Sequence, residues 1–340
     1  MKKIVCSILF CVSLQSIAEV DSDFVNAIRH GAMAKVSLRV LDDVGIPVTN
    51  TNVHVWFSSY GRPQDNADWY VATDTNGVIT VSHRTNEDLS WLVRKEGYYE
   101  THGRIQFRDR KTDSPKVKDG KWQPYGETRT VVLKRIKNPI EINRHSKCGG
   151  LKIPDYNTWI GFDFERYSFV RPYGDGEVSD VLLRFSMDDS PVRGYYSQME
   201  VSFTNSPYAG AYRSKRDEKS EFQFSYSAKT NEQYNSVYVF RYEHGLSMPP
   251  VELKLPKDEY LIFRTRTELD DEGNLKSAHY GRLGAWDFVG PAGVVISNLA
   301  FNPTPNDTNL EDAETARRSL KRRSHQLERE QSKRTAGVTK

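Results

Sequence analysis

The strongest constraint on the fold is an alternation of apolar and polar residues within short segments. Two apolar sets that each share one face of a predicted strand are Val36, Leu38, Val40 and Val53, Val55, Phe57. Turns rich in Gly, Pro, Asn and Asp separate such segments roughly every ten residues, which is typical of a β-sandwich. No helix-period segment of useful length is found before residue 310. The sequence therefore predicts an all-β protein with two antiparallel β-sandwich domains in tandem.

The N-terminal segment has the pattern of an export signal. Lys2 and Lys3 precede an apolar run that ends at Ser16-Ile17-Ala18, a small-x-small cleavage pattern. We predict a signal peptide at residues 1–18, with cleavage after Ala18 and a secreted or periplasmic product. No later stretch approaches the roughly 20 apolar residues that a membrane-spanning helix needs. No transmembrane segment is therefore predicted.

Four segments between residues 35 and 135 carry a family resemblance. They read VLDDVGIPV at 40–48, NVHV at 52–55, TDTNG at 73–77 and VRKEGY at 93–98. In this order and spacing they resemble the carboxypeptidase regulatory-like domain, a transthyretin-like β-sandwich. Two predicted loops, 58–68 and 109–127, are longer than that fold requires. The resemblance implies a β-sandwich at 35–135 with a supporting or binding role and no catalysis.

The remaining chain divides by composition. Residues 19–34 form a lead-in, residues 136–155 a linker rich in Gly and Pro, and residues 156–310 a second β-rich domain. Residues 311–340 hold nine Lys and Arg against five Asp and Glu, and we expect a basic tail that is helical or disordered. Residues 19–310 hold 37 basic and 40 acidic residues. A nearly neutral body gives no electrostatic basis for nucleic-acid binding.

Aromatic residues in loop-like contexts are the main candidates for a binding surface. The predicted set is Tyr60, Trp69, Tyr70, Trp122 and Tyr125, and further tyrosines in such contexts are Tyr173, Tyr208 and Tyr212. Exposed aromatic rings bury area with little loss of rotamer freedom, so they stack on sugars or anchor protein interfaces. Ordinary packing at strand ends is the alternative interpretation.

Acidic residues provide the candidates for chemistry. Asp163 and Glu165 are predicted to project from one side of a strand, either as a glycosidase carboxylate pair or as an exposed strand face. Asp175, Glu177 and Asp180 form either a calcium loop or an acidic turn. Cys148 is interpreted as an incidental thiol, because no intramolecular cysteine partner remains after signal cleavage.

Other catalytic patterns are missing from the sequence. It has no zinc-type histidine pair, no G-x-S-x-G elbow and no phosphate-binding G-x-x-x-x-G-K-[ST] loop, so neither a cofactor nor a metal is predicted. The predicted function is an exported non-enzymatic binding or structural module with a glycan or an envelope protein as partner, and its oligomeric state is left open. The alternative is a glycan-active hydrolase that uses Asp163 and Glu165.

Overall fold

The computed structural model is built mainly from antiparallel β-sheets. It describes residues 22–107, 117–145, 150–190, 194–204, 207–244, 251–288 and 293–322. Helical structure in these ranges comprises α1 at Ser22–His30, a single 3₁₀ turn at Pro63–Asp65 and α2 at residues 313–322. The all-β class predicted from the alternation is confirmed. Within the described residues, every helix falls short of the length and hydropathy needed to cross a membrane.

The chain forms two compact units. The first contains the chain up to Leu41 together with Pro47–Leu92 and Gly103–Val131. The second contains Asp42–Ile46, Val93–His102 and the chain from Val132 onward. Three short segments of the predicted 35–135 domain, at 42–46, 93–102 and 132–135, thus belong to the second unit.

The first unit contains two facing sheets. Its strands, some of whose ends enter the second unit, are β1 Ala32–Asp42, β2 Asn52–Ser58, β3 Ala67–Ala72, β4 Val78–Thr85, β5 Asp88–Arg94, β6 Thr101–Gln106, β7 Val117–Lys118, β8 Lys121–Trp122 and β9 Glu127–Leu133. One sheet has the order β4-β1-β8-β7, with β9 also pairing with β1, and the other has the order β3-β2-β5-β6. Part of the predicted polar loop at 58–68 is therefore strand.

The alternating residues of the first unit form its core. Leu38 and Val55 are fully buried, as the period-2 pattern requires for one face of β1 and β2, and Leu89 of β5 is also fully buried. The turn before β4 depends on Gly77, which has φ of 73°. A Cβ atom at Gly77 would lie 2.6 Å from the Val40 carbonyl oxygen. Glycine is needed there both for the left-handed backbone and for this close approach.

The short helix α1 was not expected from the sequence. Asp23 lies in its first turn and Arg29 and His30 in its last, an arrangement that complements the helix dipole. Gly31, with φ of 78°, follows the helix, and its N–H donates to the Ala27 carbonyl at 2.8 Å. Helix α1 therefore lies in the range where no helix-period segment of useful length was predicted. The apolar residues Phe24, Ala27 and Ile28 follow helical spacing, but they cover a segment of only nine residues.

The second unit is a larger sandwich. Its strands are β10 Asn143–His145, β11 Trp159–Asp163, β12 Ser168–Phe169, β13 Val181–Ser190, β14 Gly194–Phe203, β15 Gly210–Lys215, β16 Val237–His244, β17 Val251–Leu253, β18 Glu259–Leu269, β19 Leu275–Leu283, β20 Ala285–Phe288, β21 Val294–Ser297 and β22 Leu299–Phe301. The order is β12-β11-β13-β14-β16-β17 in one sheet and β10-β22-β19-β18-β15 in another, while β20 pairs with β21. A phenylalanine-rich core that includes Phe162, Phe185 and Phe263 draws on both larger sheets.

Two segments predicted to lie outside the sandwich are built into the second unit. The predicted linker 136–155 contains β10, which pairs with β22. Glu311 and Asp312, assigned to the basic tail, are each 1% exposed. The Glu311 carboxylate accepts hydrogen bonds from the Tyr99 hydroxyl and from the N–H groups of Lys137 and Asn138. Hydrogen bonds within the second unit therefore hold the start of the predicted tail. Residues 323–340 lie outside the described residues.

Candidate functional site

Strand β2 of the first unit directs two aromatic side chains to the outer side of its sheet. Val53, Val55 and Phe57 are buried, while His54 and Trp56 between them are partly exposed. Because successive side chains of a strand point to opposite faces, His54 and Trp56 share the outer face. The sequence of β2 alone determines this arrangement.

Strand β3 adds the other half of this surface. In the antiparallel register, Tyr70 lies opposite His54 and Asp68 lies opposite Trp56. Side chains opposite one another in an antiparallel pair lie on the same face and interact directly. We call His54, Trp56, Asp68 and Tyr70 the aromatic face.

The rings of the aromatic face are in contact. The His54 and Tyr70 rings are stacked, with centroids 4.2 Å apart and planes at 4°. The Trp56 ring lies 5.0 Å from the His54 ring and is tilted by 36°. The Nε2 atom of His54 lies 3.3 Å from the Asp68 carboxylate, which is well exposed. The result is an exposed aromatic surface with a carboxylate beside it.

Such a surface is suited to a ligand with an apolar face and hydroxyl groups. An aromatic ring presents a negative face that attracts the positive edge of C–H groups, and a carboxylate accepts hydrogen bonds from hydroxyls. The backbone of two paired strands fixes the positions of these groups. Sugar rings carry both of these chemical features.

Trp69 lies on the opposite side of β3 from Tyr70. Its ring makes edge-to-face contacts with Phe57 at 5.7 Å and with His83 at 5.4 Å. Trp69 is 37% exposed, so it covers the margin of the core while leaving part of the ring open. Both residues are in a strand, and the loop-like context predicted for them was wrong. Trp69 and Tyr70 therefore belong to different faces of one strand.

Tyr60 is the most exposed of the predicted aromatic residues, at 63%. Its N–H donates to Asn86 Oδ1 at 2.7 Å, and Asn86 Nδ2 donates to the Tyr60 carbonyl at 3.1 Å. Asn86 is buried and also donates to the Ile28 carbonyl. These bonds fix the backbone at Tyr60 in the loop after β2.

Trp122 is buried, which contradicts its predicted exposure. Only 1% of the residue is accessible, and Nε1 donates to the Thr85 carbonyl at 2.8 Å. The ring stacks on Phe107 at 5.5 Å and contacts Phe24 edge-to-face at 6.1 Å. Trp122 is therefore a core residue, because its apolar ring and its N–H both find partners inside the unit.

Trp122→Ala is expected to lower the free energy of unfolding by about 3–5 kcal/mol, because it removes a fully packed ring and leaves a cavity. Tyr125→Ala is the matched control, since Tyr125 lies three residues away and is 37% exposed. The control should stay within about 1 kcal/mol of the unsubstituted protein. Urea unfolding followed by tryptophan fluorescence and circular dichroism measures both. Equal effects of the two substitutions would contradict the burial of Trp122.

The other tyrosines have separate roles. The Tyr125 ring lies 5.2 Å from Lys121 Nζ, and Tyr173 is 41% exposed. Tyr212 is buried, and its hydroxyl accepts a hydrogen bond from the Lys229 N–H at 2.9 Å. The Tyr208 hydroxyl donates to the Gly273 carbonyl at 3.3 Å. Some of the predicted aromatic residues are therefore exposed and others are buried. Of the five predicted binding residues, only Tyr70 belongs to the aromatic face.

The predicted carboxylate pair is not arranged as a pair on one strand face. Strand β11 ends at Asp163, and Glu165 lies in the turn that follows. Asp163 is 1% exposed, and its carboxylate accepts hydrogen bonds from four backbone N–H groups. The four donors are those of Glu165, Arg166, Glu177 and Val178. These contacts assign Asp163 to holding two turns together.

Arg266 joins Asp163 to two further carboxylates. Its guanidinium lies 3.1 Å from Asp163, 3.0 Å from Asp180 and 2.5 Å from Glu165. Burial alone would raise the pKa of Asp163, but the backbone donors and Arg266 hold it below its usual value. Burial raises the pKa of Asp180, and Arg266 offsets this only in part. We call Arg266, Asp163, Glu165 and Asp180 the Arg266 cluster.

The acidic residues considered as a calcium loop, Asp175, Glu177 and Asp180, do not converge on one point. Asp180 belongs to the Arg266 cluster, and Glu177 pairs with Arg166 at 2.8 Å. Among the described residues, no group of three or more His, Cys, Asp or Glu side chains is placed to hold a metal ion. Cys148 lies outside the described residues. Glu177 and Asp180 are therefore engaged in ion pairs with two different arginines.

Comparison with known proteins gives limited similarity. No family model and no curated protein matches the chain. The structural neighbours include chlorocatechol 1,2-dioxygenase from Pseudomonas putida, which is 15% identical with a TM-score of 0.25 over 31% of this chain and 61% of that one. They also include hydroxyquinol 1,2-dioxygenase from Pseudomonas putida DLL-E4, which is 16% identical. Its TM-score is 0.24 over 31% of this chain and 57% of that one. The chain thus spans less than two thirds of the length of these enzymes.

Sequence reasoning missed His54 and Trp56. Both alternate with buried residues of β2, so the same period-2 pattern that predicted the strand also marks their outward direction. It missed Arg266 as well, and no local signal was available there. Arg266 reaches carboxylates 86 and 103 residues away in the sequence. Only the fold brings this cluster together.

Proposed function

We propose that the chain is an exported, non-enzymatic binding protein whose aromatic face recognises a glycan. The observation that carries this proposal is the stacked pair of His54 and Tyr70 beside Trp56, with the Asp68 carboxylate next to them. A sugar ring would lie on the exposed aromatic surface, and its hydroxyl groups would donate to Asp68. Tyr70 is 44% exposed, so its ring remains accessible to such a ligand.

Export and the domain assignment complete the proposal. The basic, apolar and small-residue pattern of residues 1–18 supports transport out of the cytoplasm. The two facing sheets of the first unit are compatible with the carboxypeptidase regulatory-like resemblance of residues 35–135. Such domains have supporting or binding roles, which agrees with recognition by a sheet surface. The hydrolase alternative has less support, because Asp163 is occupied by structural contacts.

Binding to immobilised polysaccharides tests the proposal. The purified protein is passed over cellulose, chitin, peptidoglycan and lipopolysaccharide resins, alongside a Trp56→Ala/Tyr70→Ala variant. Loss of two ring contacts is expected to weaken retention about tenfold or more. The matched control is Tyr173→Ala, which removes an aromatic residue that is 41% exposed on the second unit.

The outcomes separate the possibilities clearly. Retention of the unsubstituted protein and of Tyr173→Ala, with loss only in the double variant, supports glycan binding by the aromatic face. Equal retention of all three proteins, or no retention on any resin, would reject it. Circular dichroism of each variant establishes that the fold is retained.

A further inference from the structure

Strand β3 forms one edge of the four-stranded sheet of the first unit. It pairs with β2 on one side and with no described strand on the other. The residues from Asp68 to Ala72 are all exposed. An exposed edge presents unpaired backbone N–H and C=O groups, which are a template for another strand.

The hydrogen bonds next to β3 show which groups are free to pair. The Thr73 N–H donates to the Thr51 carbonyl at 3.0 Å, so Thr73 faces β2. Backbone groups alternate in direction along an antiparallel strand, so Val71 and Trp69 also face β2. The backbone groups of Asp68, Tyr70 and Ala72 therefore point away from the sheet.

This edge lacks the usual protection against pairing. Natural edge strands carry lysine, proline, bulges or inward-pointing charges that discourage a second strand. Strand β3 reads Ala-Asp-Trp-Tyr-Val-Ala, and its pairing with β2 runs from Ala67 to Ala72 without a register shift. Asp68 is its one charged residue. The strand is rich in aromatic and β-branched residues, which have high strand propensity.

We propose that β3 pairs antiparallel with β3 of a second copy of this chain, with the two-fold axis at Tyr70. Tyr70 then lies opposite Tyr70 of the other copy, and Asp68 lies opposite Ala72. Trp69 lies opposite Val71, which forms an aromatic and β-branched pair of the kind that stabilises sheets. A two-fold axis at Asp68 would instead set two carboxylates opposite each other. In the proposed register, the outward backbone N–H and C=O groups of Asp68, Tyr70 and Ala72 lie opposite the outward groups of the partner strand and can pair with them.

Self-pairing has a geometric consequence for the aromatic face. The two-fold axis is perpendicular to the sheet, so the outer faces of both copies lie on the same side. The two four-stranded sheets become continuous, and two aromatic faces lie side by side. The pairing depends on backbone groups and is independent of which ligand, if any, the aromatic face binds.

The sign of the charge at position 72 tests the pairing. In the proposed dimer, position 72 lies opposite Asp68 of the other copy, and this contact occurs twice. Ala72→Glu therefore places a second carboxylate opposite Asp68, whereas Ala72→Lys places a cation opposite it. Analytical ultracentrifugation is expected to show a dimer for the unsubstituted protein, about tenfold weaker dimerisation for Ala72→Glu, and unchanged or stronger dimerisation for Ala72→Lys. A monomer at all concentrations, or the same effect from both substitutions, would overturn the proposal.

Cysteine cross-linking tests the register. In the exported protein with Cys148 replaced by serine, Tyr70→Cys places two thiols across the axis. Hydrogen-bonded residues opposite each other have Cα atoms about 5.5 Å apart, which is within disulfide range. Tyr70→Cys should form covalent dimers faster than Trp69→Cys under mild oxidation. An equal or reversed order would overturn the register with Tyr70 at the axis.

Discussion

Replacing Arg266 with methionine is expected to lower the free energy of unfolding by about 3–5 kcal/mol at pH 7. Arg266 is the cation that faces Asp163 and Asp180, and the side chains of these residues are 2% and 0% exposed. Removing it leaves two buried carboxylates without their counter-charge. Burial of an unpaired charge costs far more than the pair contributes in net stability.

Methionine is the informative replacement at this position. It keeps most of the side-chain length while removing the charge and all hydrogen-bond donors. Arg266 has φ of 48°, next to an irregularity in the pairing of β18 with β19. A left-handed backbone is unfavourable for both arginine and methionine, so the comparison cancels this cost. Glycine would remove this backbone cost, and the resulting gain in stability would mask part of the electrostatic effect.

The effect of Arg266→Met should decrease at acidic pH. Burial already raises the folded-state pKa of Asp180, and loss of the cation raises it further. A carboxyl group whose folded pKa is raised stabilises the fold most when protonated, and this contribution is lost as pH rises through the folded pKa. Lowering the pH from 7 therefore favours protonation of Asp180 and reduces the deficit.

Urea unfolding at pH 7 and pH 5 measures this difference. Arg166→Met is the matched control, because Arg166 pairs with Glu177 at the surface, where both side chains are about half exposed. Surface pairs contribute little, so the control should change stability slightly at both pH values. A deficit for Arg266→Met that is independent of pH, or as small as that of the control, would show that the cluster carries no uncompensated charge.

Local chemistry made the hairpins predictable. The segment from Asp270 to Asn274 joins β18 to β19. The Asp270 carboxylate accepts hydrogen bonds from the N–H groups of Glu272 and Asn274, and Gly273 adopts φ of 83°. All of these contacts lie within five residues. A turn of this kind is specified by its own sequence, so it can be predicted without knowledge of the fold.

Side-chain burial was harder to predict than strand position. Trp122 and Tyr125 are three residues apart in the same turn-rich segment, yet one is buried and the other is 37% exposed. Phe24 and Phe107 cover Trp122, and neither is near it in the sequence. The composition of a segment therefore indicates a loop without showing which ring another element will cover.

The aromatic face shows the same division between local and non-local information. The alternation within β2 is sufficient to place His54 and Trp56 outward. Their contact with Tyr70 depends on the register of β2 with β3. Because Trp69 and Tyr70 were predicted to lie in loop-like contexts, the sequence did not identify Tyr70 as the strand partner of His54. Register is set by pairing between strands, and a single strand does not contain it.

Asp312→Asn is expected to lower the free energy of unfolding by about 3 kcal/mol or more, although Asp312 was predicted to lie in a solvated tail. Its carboxylate lies 2.8 Å from Arg144 and 2.8 Å from Arg282, within the second unit. Burial would raise the pKa of Asp312, but Arg282 and Arg144 hold it below its usual value. Burial lowers the pKa of Arg282 to about 10, so Arg282 remains charged at pH 7.

Asparagine isolates the charge of Asp312 from its role at a helix start. Asp312 Oδ1 accepts the Thr315 N–H at 2.8 Å, and residues 313–322 form α2. Asparagine is as good an N-cap as aspartate, so the cap is retained while the counter-charge is lost. The expected loss of stability then reports the buried Arg282 cation, whose side chain is 1% exposed.

A second substitution shows whether the uncompensated cation is the cause. Adding Arg282→Met to Asp312→Asn removes the buried charge, and methionine can pack beside Phe224, whose ring lies 3.7 Å from the Arg282 guanidinium. We expect the double variant to be more stable than Asp312→Asn by about 1 kcal/mol or more, because apolar replacements of buried ion pairs are often well tolerated.

Chemical unfolding of the single and double variants measures this coupling. Glu141→Gln is the control for loss of a carboxylate, since its pair with Arg317 is exposed on both sides, and it should leave the unfolding midpoint unchanged. If the double variant is the least stable protein of the series, the two losses add. In that case Asp312 acts through packing and capping, because an uncompensated Arg282 charge would have been relieved by its removal.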